Sequence, residues 1–137
     1  MICLDTNVVI AFLKGTPLLL AKRFEHAIAH TVFALPVVTL FELQYGIAKS
    51  ARRQANTDRL AIFLQLPITV MHFEPEDAEE AGEIRAELER AGTPIAPYDI
   101  LIAAQARRRS ALLVTANTGE LARVRGLKTE DWAAPSL

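Results

Sequence analysis

Residues 1–10 read MICLDTNVVI, and the chain changes character within them at LDTN. The apolar residues Ile2 to Leu4 predict a short buried strand. An acid, a hydroxyl and an amide follow, and such side chains disfavour a strand interior because they hydrogen-bond nearby backbone groups. The segment therefore marks a boundary between the strand and a helix from about Asn7 to Lys14, with Gly15 as its left-handed end. Asp5, Thr6 or Asn7 could cap that helix. Because Thr6 or Asn7 could serve equally well, Asp5 could instead project from the strand end to do chemistry.

Length and composition limit the classes of protein to consider. The 137 residues fit a single domain, residues 1–137, with enough chain to bury a core. The hydrophobic fraction is 51%, yet no apolar run approaches the length of about 18 residues typical of a membrane span. The apolar surplus suits a subunit or partner interface. A net charge of −1 excludes a global basic field, so a nucleic-acid partner would be held by local cationic patches.

The N-terminus and the cysteine content indicate a compartment. Asp5 interrupts the apolar N-terminus and no basic segment precedes it, so no signal peptide is expected and the cytoplasm is the expected location. The single cysteine, Cys3, excludes an intramolecular disulfide. Because it lies in an apolar segment, we expect it to be a small buried hydrophobe.

Apolar runs and helix signals alternate along the rest of the chain. VFALPVV, ITVMHF and ALLVT read as strands, and LKTEDW holds a last short one. Pro36 inside the second strand predicts an edge, a bulge or a strand end. Strands that alternate with helices predict a mainly parallel sheet covered on both faces, an α/β fold. The expected helices after the first span residues 17–28, 39–50, 51–66, 75–92 and 100–109.

Three acids, Asp5, Glu42 and Asp99, lie at or near predicted helix starts. Each position has a structural explanation: Asp5 suits an N-cap, and Asp99 suits the positive end of its helix dipole. Glu42 matches the partner of Thr39 in an S/T-x-x-E capping box. In an open parallel sheet, however, ligands gather beyond the carboxyl ends of the strands, so side chains distant in sequence can converge there. We expect the three acids to converge.

Such a convergence has an electrostatic cost that points to a cation. Two unit charges about 4 Å apart repel by roughly 4 kcal/mol at an effective dielectric constant of about 20, so clustered carboxylates hold protons or a metal. Carboxylate oxygens without paired histidines or cysteines suit Mg²⁺ or Mn²⁺, and Mg²⁺ typically takes one or two direct carboxylates plus water and substrate phosphate. This chemistry supports phosphodiester hydrolysis by metal-activated water.

Four ordered motifs carry a family resemblance. They are LDTN with Asp5, VTLFELQYG with Glu42, PYDILIAA with Asp99 and LVTANTGEL near Thr115, and they cover essentially the whole chain. Together with the tail GLKTEDW, the sequence resembles the PIN-domain ribonucleases, specifically the VapC-type toxins of bacterial toxin–antitoxin modules.

The resemblance implies a three-layer α/β/α nuclease that binds Mg²⁺ or Mn²⁺ and cleaves single-stranded or loop RNA, leaving a 5′-phosphate and a 3′-hydroxyl. By position, Asp5 and Asp99 would ligate metal and Glu42 would complete the acidic pocket and orient the water. Thr6 or Thr115 would support the site. The resemblance also implies a dimer and a separate antitoxin whose tail wraps the toxin, often placing an arginine among the acids. DNA would be contacted only through the antitoxin.

One position departs from the family pattern. Many PIN domains place a fourth acid shortly after the last strand, where this chain has Asn117, with Glu120 three residues later. Asn117 can ligate through its carbonyl oxygen or bind phosphate, but it contributes no charge. Glu120 can instead begin a helix. We therefore expect one tightly held metal and a weaker second site, if any.

Several basic residues are candidates for contacts outside the acidic cluster. Candidates for RNA follow the Glu42 helix at Lys49, Arg52 and Arg53. Better candidates are Lys14 and Arg123 or Arg125, which lie closer in sequence to the acidic motifs. Arg107 to Arg109 end a predicted helix, where the dipole favours cations and which points away from the acids. We expect that triplet in surface or partner contacts.

Two further groups of residues have less specific signals. His26, His30 and His72 show no metal-ligand spacing with cysteines and are expected to be ordinary surface or half-buried residues. The aromatic residues Phe41, Tyr45 and Tyr98 flank the acidic motifs. We expect them in core packing or in a partner groove, with stacking on an unpaired base as the alternative.

Two other functions remain open from the sequence. One is a catalytically weak PIN-like module that binds RNA or a protein, with Asn117 as a sign of decay; metal-dependent turnover distinguishes it from a nuclease. The other is a metal-dependent phosphatase with Asp5 as the nucleophile. That chemistry wants a second Asp two residues on, where the chain has Asn7.

Overall fold

Five short strands form one sheet in the computed structural model, which describes residues 1–135. The strands are β1 (Ile2–Leu4), β2 (Phe33–Pro36), β3 (Ile68–Met71), β4 (Leu112–Val114) and β5 (Lys128–Glu130). Their order across the sheet is β3-β2-β1-β4-β5, and every pairing is parallel. Cys3 in the central strand pairs with Ala34 on one side and with Leu113 on the other. The predicted parallel sheet is confirmed.

Helices connect and cover these strands. They are α1 (Thr6–Lys14), α2 (Leu18–Ile28), α3 (Val37–Ala48), α4 (Arg53–Phe63), α5 (Pro75–Arg90), α6 (Pro97–Arg108) and α7 (Thr118–Leu121). All the helices expected from the sequence are present, with ends that differ by a few residues. Among the described residues, none of the helices has the length and apolar character needed to cross a membrane.

Two hydrophobic cores lie on the two faces of the sheet. Ile2 and Leu4 pack in one core with residues of α1, α2 and α4, whereas Cys3 between them packs in the other with residues of α5, α6 and α7. Successive side chains of a strand point to opposite faces, so this alternation shows helices on both sides. The fold is the three-layer α/β/α arrangement that the sequence predicts. Cys3 is fully buried as expected, and burial raises its pKa to about 11, although Arg109 and the N-terminus oppose the shift.

The junction of β2 and α3 corrects one expectation. Pro36 is the last residue of β2, a strand that lies between β1 and β3, so its proline marks a strand end rather than a sheet edge. Helix α3 begins at Val37, two residues earlier than predicted. Thr39 is therefore inside the helix, and its buried hydroxyl donates to the carbonyl oxygen of Leu4 at 3.0 Å. The predicted capping box of Thr39 with Glu42 is wrong, because α3 begins too early for Thr39 to be its N-cap.

The arginines that end α6 correct another expectation. Arg108 and Arg109 both donate to Oδ1 of Asp77 at 2.7 Å, and Arg107 donates to Glu80 at 3.0 Å. The Asp77 side chain is fully buried in the first turn of α5. The expectation of surface or partner contacts for Arg107 to Arg109 is wrong: because α5 and α6 pack against each other, the triplet meets the acids of α5. This ion-pair cluster consists of Arg107, Arg108, Arg109, Asp77, Glu74 and Glu80.

Candidate active site

Asp5 lies at the carboxyl end of the central strand, where it both caps α1 and projects from the strand end. It is the N-cap of α1, with Oδ1 accepting from the backbone N–H of Thr6 at 2.8 Å. Its other oxygen, Oδ2, accepts from the hydroxyl of Thr115 at 2.8 Å. The residue is 5% exposed, so these two hydrogen bonds hold a nearly buried carboxylate in one orientation. Each carboxylate oxygen still has a lone pair for a further ligand.

Glu42 comes to the same edge of the sheet from the second turn of α3. Its Oε1 accepts from the hydroxyl of Thr6 at 2.7 Å, which joins α3 to the start of α1. Glu42 and Lys14 both line an apolar cavity of about 190 Å³ between α1, α3 and α4. Thr6 therefore positions Glu42 in the way that Thr115 positions Asp5.

Asp99 lies in the first turn of α6 and is repelled by the other acids. Burial raises its pKa from 3.8 to about 6, and repulsion from Asp5, Glu42 and Glu120 adds to the effect. The three predicted acids therefore do share one site, and a further one joins them. A carboxyl whose pKa is raised by like charges in a partly buried position is typical of a functional site.

Glu120 is the acid that the motif analysis did not assign to the site. It lies in the short helix α7, and its Oε2 accepts from the side-chain amide of Asn117 at 3.0 Å. The backbone N–H of Asn117 donates to the hydroxyl of Thr115 at 3.0 Å. Asn117 thus connects Glu120 to the threonine that holds Asp5. The signal in the sequence was the acid three residues after Asn117, which one helical turn brings to the same face.

The acids of the site, Asp5, Glu42, Asp99 and Glu120, form no ion pair with lysine or arginine among residues 1–135. No three carboxylate, histidine or cysteine side chains within that range lie close enough to hold an ion jointly, so the ligand set Asp5, Asp99 and Glu42 stays a prediction. The donor chemistry nevertheless fits Mg²⁺ or Mn²⁺, since these ions take one or two direct carboxylates and reach others through water.

Aromatic side chains surround the acids at the surface. Phe41 and Tyr98 each precede a site acid in the chain, are 50% and 49% exposed, and meet edge to face with ring centroids 5.4 Å apart. Tyr45 is 57% exposed. Core packing is therefore the wrong expectation for these residues, because α3 and α6 turn them outward; a partner groove and base stacking remain open.

The three histidines are at the surface as expected. His26 is exposed on α2 and His30 is exposed just after it, with their rings 5.2 Å apart, and His72 is exposed after β3. None of them belongs to a metal-binding group within the part of the chain that the structure describes.

Comparisons with known proteins give the class. The sequence pattern of the PIN domain matches residues 2–127, so the chain belongs to the PIN-domain family. It is 40% identical to the tRNA(fMet)-specific endonuclease VapC of Shigella flexneri, over 95% of this chain and 96% of that protein. It is 37% identical to ribonuclease VapC2 of Haemophilus influenzae, over 94% of this chain and 96% of the relative. Within the family, the chain is a VapC-type toxin.

Solved structures agree with this assignment. The toxin in the crystal structure of VapBC2 from Rickettsia felis, bound to a DNA fragment from its promoter, matches with a TM-score of 0.90 and 34% identity over 96% of this chain and 99% of that one. A DNA-bound VapBC structure from Salmonella typhimurium matches with a TM-score of 0.87 and 36% identity, over 96% and 97% of the two chains. The fold that holds the acids together is thus the VapC fold.

Proposed function

We propose that this VapC-type endoribonuclease cuts RNA by metal-activated water at Asp5, Glu42, Asp99 and Glu120, with residues 1–137 as one nuclease domain. The observation that carries the proposal is a cluster of acids that has no cationic partner among residues 1–135. Burial, together with repulsion from the other acids of the cluster, raises the pKa of Asp99 to about 6. A folded protein gains nothing in stability from such repulsion. The cluster is best explained by a ligand that brings positive charge.

Each residue has a role in the proposed site. A bound Mg²⁺ or Mn²⁺ would neutralise charge on the scissile phosphate and lower the pKa of the attacking water. Asp5 and Asp99 would hold the ion, and Glu42 would orient the water by accepting a hydrogen bond from it. Thr6 and Thr115 fix the carboxylates that they touch, so the groups need no reorientation when substrate binds.

Asn117 and Glu120 have a supporting role in this proposal. Because the Asn117 amide donates to Glu120, the acid is held in the site while its charge remains available. Asn117 then acts by positioning Glu120 rather than as a ligand of its own. The fourth carboxylate strengthens attraction for a second, more weakly held cation.

The proposed protein partner is a cognate antitoxin. The solved relatives from Rickettsia felis and Salmonella typhimurium are toxin–antitoxin complexes on DNA. The cavity between α1, α3 and α4 is lined by Ile10, Leu13 and Leu60 and opens beside Glu42. An antitoxin tail with apolar side chains and one arginine would fill the cavity and neutralise the acids. The toxin would act as a homodimer in the cytoplasm and would meet DNA only through the antitoxin.

The test is cleavage of a panel of structured RNAs by the purified protein with Mg²⁺, with Mn²⁺ and with a chelator. Initiator tRNA(fMet) is the first substrate, because the Shigella flexneri relative is named for it. Asp5→Asn serves as the inactive variant, and Asp58→Asn, an exposed acid on α4, is the matched control. Metal-dependent cuts that Asp5→Asn abolishes and Asp58→Asn retains would support the proposal. RNA binding without metal-dependent turnover in any arm would support a binding module instead.

A further inference from the structure

A cationic cavity lies between the end of α5 and the segment that follows α7. It has a volume of about 450 Å³ and is lined by Arg90, Arg123 and Arg125, together with one acid, Glu87, and two apolar residues, Leu88 and Ala91. All three arginines are exposed. We call these three residues the arginine triad.

The arginine triad differs from the other arginine cluster of the molecule in what it contacts. Arg107, Arg108 and Arg109 are bound to carboxylates of α5. In the described part of the chain, no arginine of the triad has such an ion pair; Arg123 donates one hydrogen bond, to the carbonyl oxygen of Pro94 at 3.3 Å. A guanidinium has five N–H donors, so most donors of the triad face solvent.

The triad is joined to the acidic site through the backbone. The N–H of Arg123 donates to the carbonyl oxygen of Glu120 at 3.0 Å, so Arg123 stands one turn beyond a site acid. Pro94, which accepts from the Arg123 side chain, lies in the loop that leads into α6 and Asp99. The segment that continues from Glu120 therefore lines the cationic cavity, and the Arg123 side chain links it to the loop that leads into α6.

The position of the arginine triad reduces the electrostatic repulsion between RNA and the acidic site. RNA is a polyanion, the chain carries a net charge of −1, and the reacting phosphate must approach a group of carboxylates. Positive charge on the segment that continues from Glu120 offsets that repulsion, and planar guanidinium groups match phosphate oxygens in bidentate hydrogen bonds. Glu87 reduces the local charge, but three cations against one anion leave the cavity positive.

We propose that the arginine triad binds the backbone phosphates of the RNA strand next to the bond that is cut. Contacts of this kind position a strand without reading its sequence. The inference rests on the proposed nuclease function and adds the position of the substrate strand, which leaves the acidic site past α7 toward the end of α5.

Binding measured without cleavage separates this inference from the nuclease proposal. Fluorescence anisotropy of a labelled RNA is followed with the Asp5→Asn protein in chelator, over a range of salt concentrations. Replacement of the triad by alanine should weaken binding at least tenfold near physiological salt. The slope of log K against log salt should fall by about 2, because each of three lost single-strand phosphate contacts contributes about 0.7. The matched control removes three exposed cations elsewhere: Lys22, Arg52 and Arg53.

Two smaller variants keep the test independent of folding. Arg90→Ala with Arg125→Ala leaves the bond from Arg123 to Pro94 in place and should give most of the loss. Arg123→Lys keeps the charge but not the bidentate fork, so its affinity should fall between those of the parent and the alanine variant. Circular dichroism verifies that each variant is folded.

The outcomes are distinguishable. Binding loss confined to the triad, with a raised KM and nearly unchanged kcat in the active protein, supports the inference. Equal loss in the triad and in the control variant, or an unchanged salt slope, overturns it while metal-dependent cleavage still stands. Absence of cleavage by the active protein, with triad-dependent binding intact, overturns the nuclease proposal and leaves an RNA-binding surface.

Discussion

Carboxylates in opposite electrostatic states lie near the two ends of helix α6: Asp99 in its own first turn, and Asp77 of α5 beside the arginines at its end. At its start, burial and the neighbouring acids Asp5, Glu42 and Glu120 raise the pKa of Asp99 to about 6. At its end, burial also opposes ionisation of Asp77, but hydrogen bonds from Arg109, from the backbone N–H of Glu74 and from Arg108 outweigh it. They lower the pKa of Asp77 to about 2.

The opposite pKa shifts distinguish an acid that stabilises the fold from an acid whose charge is balanced only when a ligand binds. Asp77 is buried, and its partners are within the chain, so its charge is neutralised when the protein folds. Asp99 has like charges around it and gains a partner only from outside. An aspartate of α5 that binds the end of α6 thus has a structural role, whereas an aspartate in the first turn of α6 has a proposed catalytic role.

The largest effect is expected for Asp99→Asn. The change removes a charge that would hold the metal, so kcat/KM for RNA should fall roughly 10³-fold or more, since such metal stabilisation amounts to several kcal/mol. Steady-state cleavage of the RNA identified in the substrate panel is the measurement. The variant should remain folded, because it relieves repulsion. Activity within tenfold of the parent would break the comparison at the α6 start.

Asp77→Asn makes the same chemical change at the other end of α6 and should act on stability instead. It removes the buried carboxylate that Arg108 and Arg109 share and leaves them only the half-exposed Glu74. We expect a cost of about 2–4 kcal/mol and a melting temperature lower by on the order of 10 °C. Calorimetry measures this change. Below the transition, kcat/KM should equal that of the parent. A cleavage defect in the folded variant would show that the two clusters are coupled.

Several of these assignments follow from local sequence and others do not. Asp5 stood out because a buried strand ended there, and the strand order brought Asp99 beside it. Glu42 was ambiguous until α3 proved to begin at Val37, which excluded the capping box. The bond between Arg108 and Asp77 joins residues 31 apart on packed helices, and no local pattern predicts such a pairing.

Glu120 illustrates a different difficulty. Asn117 occupies the position where an acid was expected, while the acid itself lies on a helix of only four residues. Helical signals in so short a segment are weak, so the direction of Glu120 depends on the turn geometry and on the Asn117 amide. The direction of Glu120 is therefore a feature of the tertiary structure, which the local sequence does not predict.

The pH dependence of stability should differ in sign between the two ends. Between about pH 4 and 6, the folded metal-free protein binds more protons at Asp99 than the unfolded chain does, so raising the pH through this window lowers the free energy of unfolding. Asp77 has a lowered pKa, so its contribution is present above about pH 4 and is lost as the pH falls toward 2. Solvent screening reduces the Asp99 effect to about 1–2 kcal/mol.

Urea titrations in chelator at several pH values measure both effects. Asp99→Asn should remove the decline in the free energy of unfolding between about pH 4 and 6. Asp77→Asn should reduce the loss of stability that occurs as the pH falls from about 4 toward 2. Saturating Mg²⁺ should also reduce the decline, since a cation that binds only the folded state offsets the repulsion. If the free energy of unfolding still declines over this pH range in Asp99→Asn, a group other than Asp99 causes the decline.

The smallest effect is expected for Thr6→Val, which removes the hydroxyl that orients Glu42 while keeping the shape of the side chain. Loss of such a positioning hydrogen bond should lower kcat/KM about tenfold, because Glu42 must then be oriented when substrate binds. Thr6→Ser should restore the rate, since it restores the donor. Thr57→Val is the matched control, for its hydroxyl donates only to the Arg53 carbonyl oxygen on exposed α4. If Thr6→Val and Thr57→Val lower the rate equally, Glu42 needs no fixed orientation, and the acids around Asp99 would act by their charge alone.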